Sequence, residues 1–196
     1  MSETVDRERV AAAVRELLLA IGADPDSPEL ASTPARVAES YTEFFAGMGQ
    51  DPASYLSDAI PVGADTGELV LVRDLTLRSM CEHHLLPFRG RAHIAYRPGR
   101  SVVGLSAIPR VVDALAARPQ VQERLGEQIA QTLADGLAPE GVLVLLEARH
   151  GCVSDRGVRQ ADAVTVTVAS RGVLADPVQQ AAVFALLGQG GSDGAS

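Results

Sequence analysis

The chain contains no lysine and no tryptophan, and only two of its 196 residues are cysteine. All 17 of its positive charges are therefore arginine, so any anion site must be built from guanidinium groups, backbone N–H groups and hydroxyls. The formal net charge of −8 argues against a nucleic-acid binder, which ordinarily needs a basic face. A few converging arginines could still hold a phosphate. No apolar run approaches the about 20 residues that span a bilayer. The opening MSETVDRERV lacks the basic-then-apolar layout of a signal peptide, so a cytoplasmic protein is the simplest expectation. With Cys81 and Cys152 in a reducing compartment, metal binding or simple burial is expected rather than a disulfide.

What is present suits a folded domain: 46% of the residues are hydrophobic, with Gly and Pro scattered through the chain. Val10, Val14, Leu17, Leu18 and Ile21 fall on one helical face over 7–21. Ser32-Thr33-Pro34 announces a second helix, with Ser32 as N-cap candidate and Val37, Tyr41, Phe44, Phe45 and Met48 as its stripe. Residues 50–66 read as a connector. Strands are expected over Glu68–Leu77, Arg91–Arg97, Val102–Val103, Val142–Leu146 and Ala163–Ala169. Helices are expected from a Ser106 cap to about Arg118, and along the stripe Val121, Leu125, Ile129, Leu133, Leu137. The expected architecture is α+β: two N-terminal helices, then a mostly antiparallel sheet covered by two helices. Residues 1–66 form the helical region and connector, 67–188 the catalytic domain, and 189–196 a disordered Gly/Ser-rich tail.

The four histidines are His83, His84, His93 and His150, and three of them lie within three residues of a cysteine. Cys81-x-x-His84 lets two side chains converge on a cation from a tight turn, and Cys152 offers a third ligand. A thiolate–imidazole set suits zinc, and three protein ligands leave a position for water, whose pKa zinc can lower to about 7. The alternative is that both cysteines are small buried hydrophobes. His83 and His150 flank the ligands as natural proton carriers, or else serve only to orient a ligand. Gln122-Glu123, Arg36, Arg110 and Arg156 look ordinary in isolation. The residues alone point to a zinc-dependent hydrolytic or lyase-like site with no visible substrate.

Longer motifs go further. Ser79-Met80-Cys81-Glu82-His83-His84-Leu85-Leu86-Pro87-Phe88, Gly104-Leu105-Ser106 and Arg118-Pro119-Gln120-Val121-Gln122-Glu123-Arg124 together resemble the GTP cyclohydrolase I family. His150-x-Cys152, Arg156-Gly157-Val158-Arg159 and Thr33-Pro34-Ala35-Arg36 continue the likeness over roughly residues 30–160. The resemblance implies a T-fold, usually a homodecamer with active sites between subunits. It implies zinc on Cys81, His84 and Cys152. Glu123, with Gln122 beside it, would meet the guanine edge. Ser106, Arg110, Arg156 and Arg36 would meet the triphosphate. His150 would be the general acid/base, supported by His83. The implied reaction turns GTP into 7,8-dihydroneopterin triphosphate and formate, the first step of pterin and tetrahydrofolate-type biosynthesis.

The chain departs from the family's pattern where a lysine usually follows Gly-Leu-Ser. Here that position is Ala107, and the segment Val178–Leu187 carries no arginine. A paralogue in a specialised pterin or deazapurine pathway, with altered phosphate preference, is the alternative these departures suggest. Partial catalysis stopping at a ring-opened product, and a non-catalytic nucleotide- or pterin-binding homologue, are further alternatives.

Overall fold

A computed structural model describes residues 5–63 and 69–188. The expected start of the first strand at Glu68 and the expected tail over 189–196 lie outside the described residues. The chain divides into two compact units, Met1–Gln50 and Asp51–Ser196.

The first unit holds α1 (Arg7–Ala20) and α2 (Thr33–Phe44). Asp6 caps α1, its carboxylate accepting from the Arg9 N–H at 3.0 Å. Ser32 occupies the cap position of α2 but makes no side-chain cap bond. Its backbone is already helical (φ −92°, ψ −9°), which takes the hydroxyl away from the orphan N–H groups.

The second unit opens with a 3₁₀ turn, Pro52–Leu56, and continues through β1 (Ile60–Pro61), β2 (Val70–Cys81), β3 (Pro87–Arg97) and β4 (Ser101–Val102). Then come α3 (Ala107–Ala116), β5 (Pro119–Gln120), α4 (Gln122–Leu137), β6 (Gly141–His150), α5 (Gly151–Ser154), β7 (Thr165–Gly172), a 3₁₀ turn over Val173–Ala175 and α6 (Pro177–Gly188). β1 and β4 form a two-stranded ribbon, and the main sheet has the order β5-β2-β3-β6-β7. Its long pairs are antiparallel, while β5 joins β2 in parallel through Met80↔Pro119 and Cys81↔Gln120.

Strand alternation divides the burial between two faces. Val142, Val144 and Leu146 of β6 pack with Ile94 and Phe88 of β3 against α3 and α4, forming the main core. Leu56 of the supposed connector is buried in that core as well. Leu143 and Leu145 point the other way and pack with Ala95, Leu174 and Val183 of α6. The α+β T-fold arrangement expected from the sequence is thus present, with two helices on one face and the additional C-terminal helix on the other. Ser106 sits at the cap position of α3 without a side-chain cap bond, again with helical backbone angles.

Candidate metal centre and its surroundings

The site is assembled where β2 ends. The Cys81 N–H donates to the Leu86 carbonyl at 2.9 Å, and the Leu85 N–H donates back to the Cys81 carbonyl at 2.8 Å. Leu85 takes the left-handed conformation (φ +51°), so Glu82, His83 and His84 form a tight turn between β2 and β3. β5 holds the turn from the side: the Glu82 N–H donates to the Gln120 carbonyl at 3.0 Å. Arg124 of α4 closes a two-pronged ion pair on the Glu82 carboxylate, which holds that carboxyl below its usual range.

β6 brings the other half. It delivers His150 opposite Phe88 in register and runs directly into α5, which carries Cys152. A side chain at Gly151 would press on the Pro87 carbonyl oxygen and the Asp155 carboxylate, both 3.1 Å from where its Cβ would lie. This close approach lets α5 fold against the β2–β3 turn.

Cys81, His84 and Cys152 then converge, with one potential ligand atom from each lying within 4.8 Å of the others. Cys81 is buried, Cys152 half-buried and His84 exposed. His84 Nδ1 is 3.9 Å from Cys81 Sγ. Burial, then the neighbouring Cys81, push the Cys152 thiol above its usual range. Three soft and borderline donors at this spacing could hold a metal ion.

Around this group, Arg156 Nη1 lies 3.2 Å from His84 Nε2. His83 is exposed beside Glu82, 3.7 Å from its carboxylate. The His150 ring stacks on Phe88 with centroids 4.7 Å apart and planes 13° from parallel. Burial lowers its pKa, and the carboxylate of Glu123, exposed in the first turn of α4, opposes that shift. Gln122 is buried, with its side chain turned toward β6 and β7.

The remaining candidates belong to other elements. Ser106 and Arg110 are exposed at the start of α3, with Ala107 between them. Arg36 is exposed on α2 of the first unit. The fourth histidine, His93, is buried in mid-β3, where its Nδ1 accepts from the Asp74 N–H at 3.2 Å. The sequence reading overlooked Phe88 as a stacking platform and the Glu82–Arg124 clamp. The burial of Gln122 had a signal: it precedes Leu125, Ile129 and Leu133 at spacings of three, seven and eleven, on the apolar face of α4.

Comparison with known proteins decides the family, because residues 10–188 match the model of GTP cyclohydrolase I. The chain belongs to the GTP cyclohydrolase I family. Among curated members, "GTP cyclohydrolase 1" of Leifsonia xyli subsp. xyli is 55% identical over 185 residues, 94% of this chain and 97% of that protein. The proteins of the same name from Streptomyces griseus subsp. griseus and Corynebacterium glutamicum (strain R) are 50% and 51% identical. They align with 93% of this chain each, over 90% and 93% of their own lengths. Family membership therefore spans the β2–β3 turn, α4 and the β6–α5 junction together. No helix among the described residues is long and apolar enough to cross a membrane.

Proposed function

We propose that this family member is a zinc-dependent GTP cyclohydrolase I, converting GTP to 7,8-dihydroneopterin triphosphate with release of formate in the cytoplasm. The carrying observation is the convergence of Cys81, His84 and Cys152 within 4.8 Å, across 71 positions of sequence between the two cysteines (152 − 81). The donor set fits zinc: two thiols and an imidazole, with a Cys152 thiol that resists ionising beside Cys81 until a cation compensates. When bound, the ion supplies Lewis-acid activation of water at neutral pH.

The chain's own residues do the rest. Glu123 offers a carboxylate to the two neighbouring donors of the guanine edge. His150 holds and moves a proton at its ring beside the purine, and His83 is a second, exposed carrier. Ser106, Arg110, Arg156 and Arg36 receive the triphosphate. Self-association, as a homodecamer with sites between subunits, is part of the reading. It is supported by β7, an outer strand whose Val166 and Val168 are exposed in the single chain.

Ala107 favours a second reading, altered phosphate preference. Loss of a charge-assisted contact there weakens triphosphate binding by about 1.5–3 kcal/mol. The test is zinc-loaded protein incubated with GTP, GDP or GMP, then oxidised, dephosphorylated and read by neopterin fluorescence and formate release. Both signals with GTP, lost in Cys152→Ala together with the bound zinc, are expected. Formate without pterin would mark a ring-opened product. Neither signal from any nucleotide, with zinc verified in the protein, would sink the enzymatic reading and leave a binding role.

A further inference from the structure

Gln122 lies under His150 rather than out in the solvent, with only 1% of its surface exposed. Its amide nitrogen faces the Leu146 carbonyl at 3.0 Å, the Thr165 carbonyl at 3.0 Å and the Thr167 hydroxyl at 3.2 Å. The two carbonyl oxygens can only accept, so the nitrogen and not the oxygen of the amide must point at them. A flipped amide would set three oxygens against one another in a buried space. The amide oxygen is thereby fixed toward His150, where it lies 2.7 Å from Nε2. That oxygen also only accepts, so the hydrogen of this contact must be on His150 Nε2.

We infer that Gln122 is a positioning residue for the proposed reaction: it fixes the His150 ring and locks it in the Nε2–H tautomer, so that the ring turns its Nδ1 lone pair away from Gln122. The inference rests on the function proposed above and deepens it by naming the tautomer. Phe88 completes the restraint, because the stacked ring fixes the imidazole plane while Gln122 fixes its rotation within that plane. An amide suits this task differently from a carboxylate. It orients the ring and selects the tautomer as a neutral partner. The carbonyls that orient Gln122 come from β6 and β7, so the tautomer is set by the register of those two strands.

The test has two arms. Solid-state ¹⁵N spectra of histidine-labelled, zinc-loaded protein at pH 8, with His150→Gln to assign the signal, report which ring nitrogen carries the hydrogen. Steady-state kinetics with GTP compare wild type with Gln122→Met, which keeps the volume and removes the hydrogen bonds. The expected results are a protonated Nε2 in wild type and loss of the single tautomer in the variant. The variant's kcat should fall about 10–100-fold, while KM moves by less than about threefold. A proton on Nδ1 in wild type overturns the inference. So does a folded variant with unchanged kcat, or one in which only KM rises, as a substrate-binding role would give. If wild type does not turn over GTP, the functional reading has failed separately, and the spectrum alone decides the tautomer.

Discussion

Within α1 and α2, Ala38 alone is buried, whereas the sheet of the second unit encloses Leu77, Phe88, Ile94, Val144 and Leu146 at zero exposure. Both regions are amphipathic in sequence, and both form the expected helices or strands. They differ in how deeply the apolar residues are buried. In the second unit the central strands β3 and β6 bury residues on both faces, against α3 and α4 on one side and α6 on the other, and that burial supplies the stability that outweighs chain entropy. In the first, Leu17, Leu19 and Ile21 stay 59%, 50% and 69% exposed. Two short helices with one buried alanine bury too little to hold themselves by core packing. An amphipathic pattern therefore specifies a helix locally, but the pattern alone does not say what covers it. The candidate metal centre belongs entirely to the region that has its own core.

The sharpest way to break this contrast is a cavity in that core. Leu133 of α4 has no exposed surface and sits in the main cluster. Leu133→Ala should lower the unfolding free energy by about 2–5 kcal/mol. A denaturant titration gives the change as a lower midpoint at unchanged slope. A loss well below that range would mean that α4 is not a rigid part of the scaffold, and the placement of Gln122 and Glu123 would lose its support.

How much of this was legible in the sequence follows the same division. Helices α1 to α4 declared themselves by period and breakers, whereas α6 was not expected, and the centre of each long strand showed by alternation or a continuous apolar run. The strand ends did not, and the site is built on them. β2 was expected to stop at Leu77 but continues to Cys81, because its pairing with β3 carries on through polar Ser79 to Met80↔Pro87. β3 starts at Pro87 rather than Arg91, since a proline is admissible as the first residue of a strand. Gly90 disguised the same segment, although a side chain there would collide with the Glu147 carbonyl of β6. β6 continues past Leu146 to His150 because its pairing with β3 does not end where its apolar run does. Cys81, His84, His150 and Cys152 were all named from spacing and resemblance. Gln122 was named too, but its orientation depends on carbonyls of β6 and β7 distant in sequence, which no local pattern reveals.

A smaller effect probes the polar exception inside the well-packed unit. His93 is buried in β3, and its pKa is lowered chiefly by that burial. Asp74 and Glu147 oppose the shift, and Arg91 and Arg73 reinforce it. The neutral ring also accepts the Asp74 N–H, a bond that a proton on Nδ1 would destroy. Folding therefore favours the neutral form. Its contribution is fully present above the unfolded pKa of about 6.5 and is lost as pH falls from there toward the lowered folded value. Comparing wild type with His93→Gln from pH 8 to pH 5 isolates this group from the other histidines. The wild-type advantage should shrink on acidification, and an advantage that grew instead would show that the two carboxylates outweigh burial.

The smallest expected effect tests the other side of the contrast. Leu17 is 59% exposed on α1, so truncating it removes little buried surface within one chain. Alanine is also the stronger helix former, which offsets part of any loss. Under dilute conditions that favour single chains, Leu17→Ala should change the unfolding free energy by no more than about 0.5 kcal/mol. The informative comparison is the same variant at high protein concentration. If the stripe of Leu17 and Ile21, four residues apart, is covered in the self-associated state proposed above, the cost should rise with concentration, because burial between copies then contributes to stability. A cost that stays small at every concentration would leave the stripe exposed in the assembly, and the first unit would owe its order to helix propensity and its surface ion pairs. A cost above about 2 kcal/mol already in the dilute state would mean that the stripe is buried within the chain, and the contrast between the two units would fail.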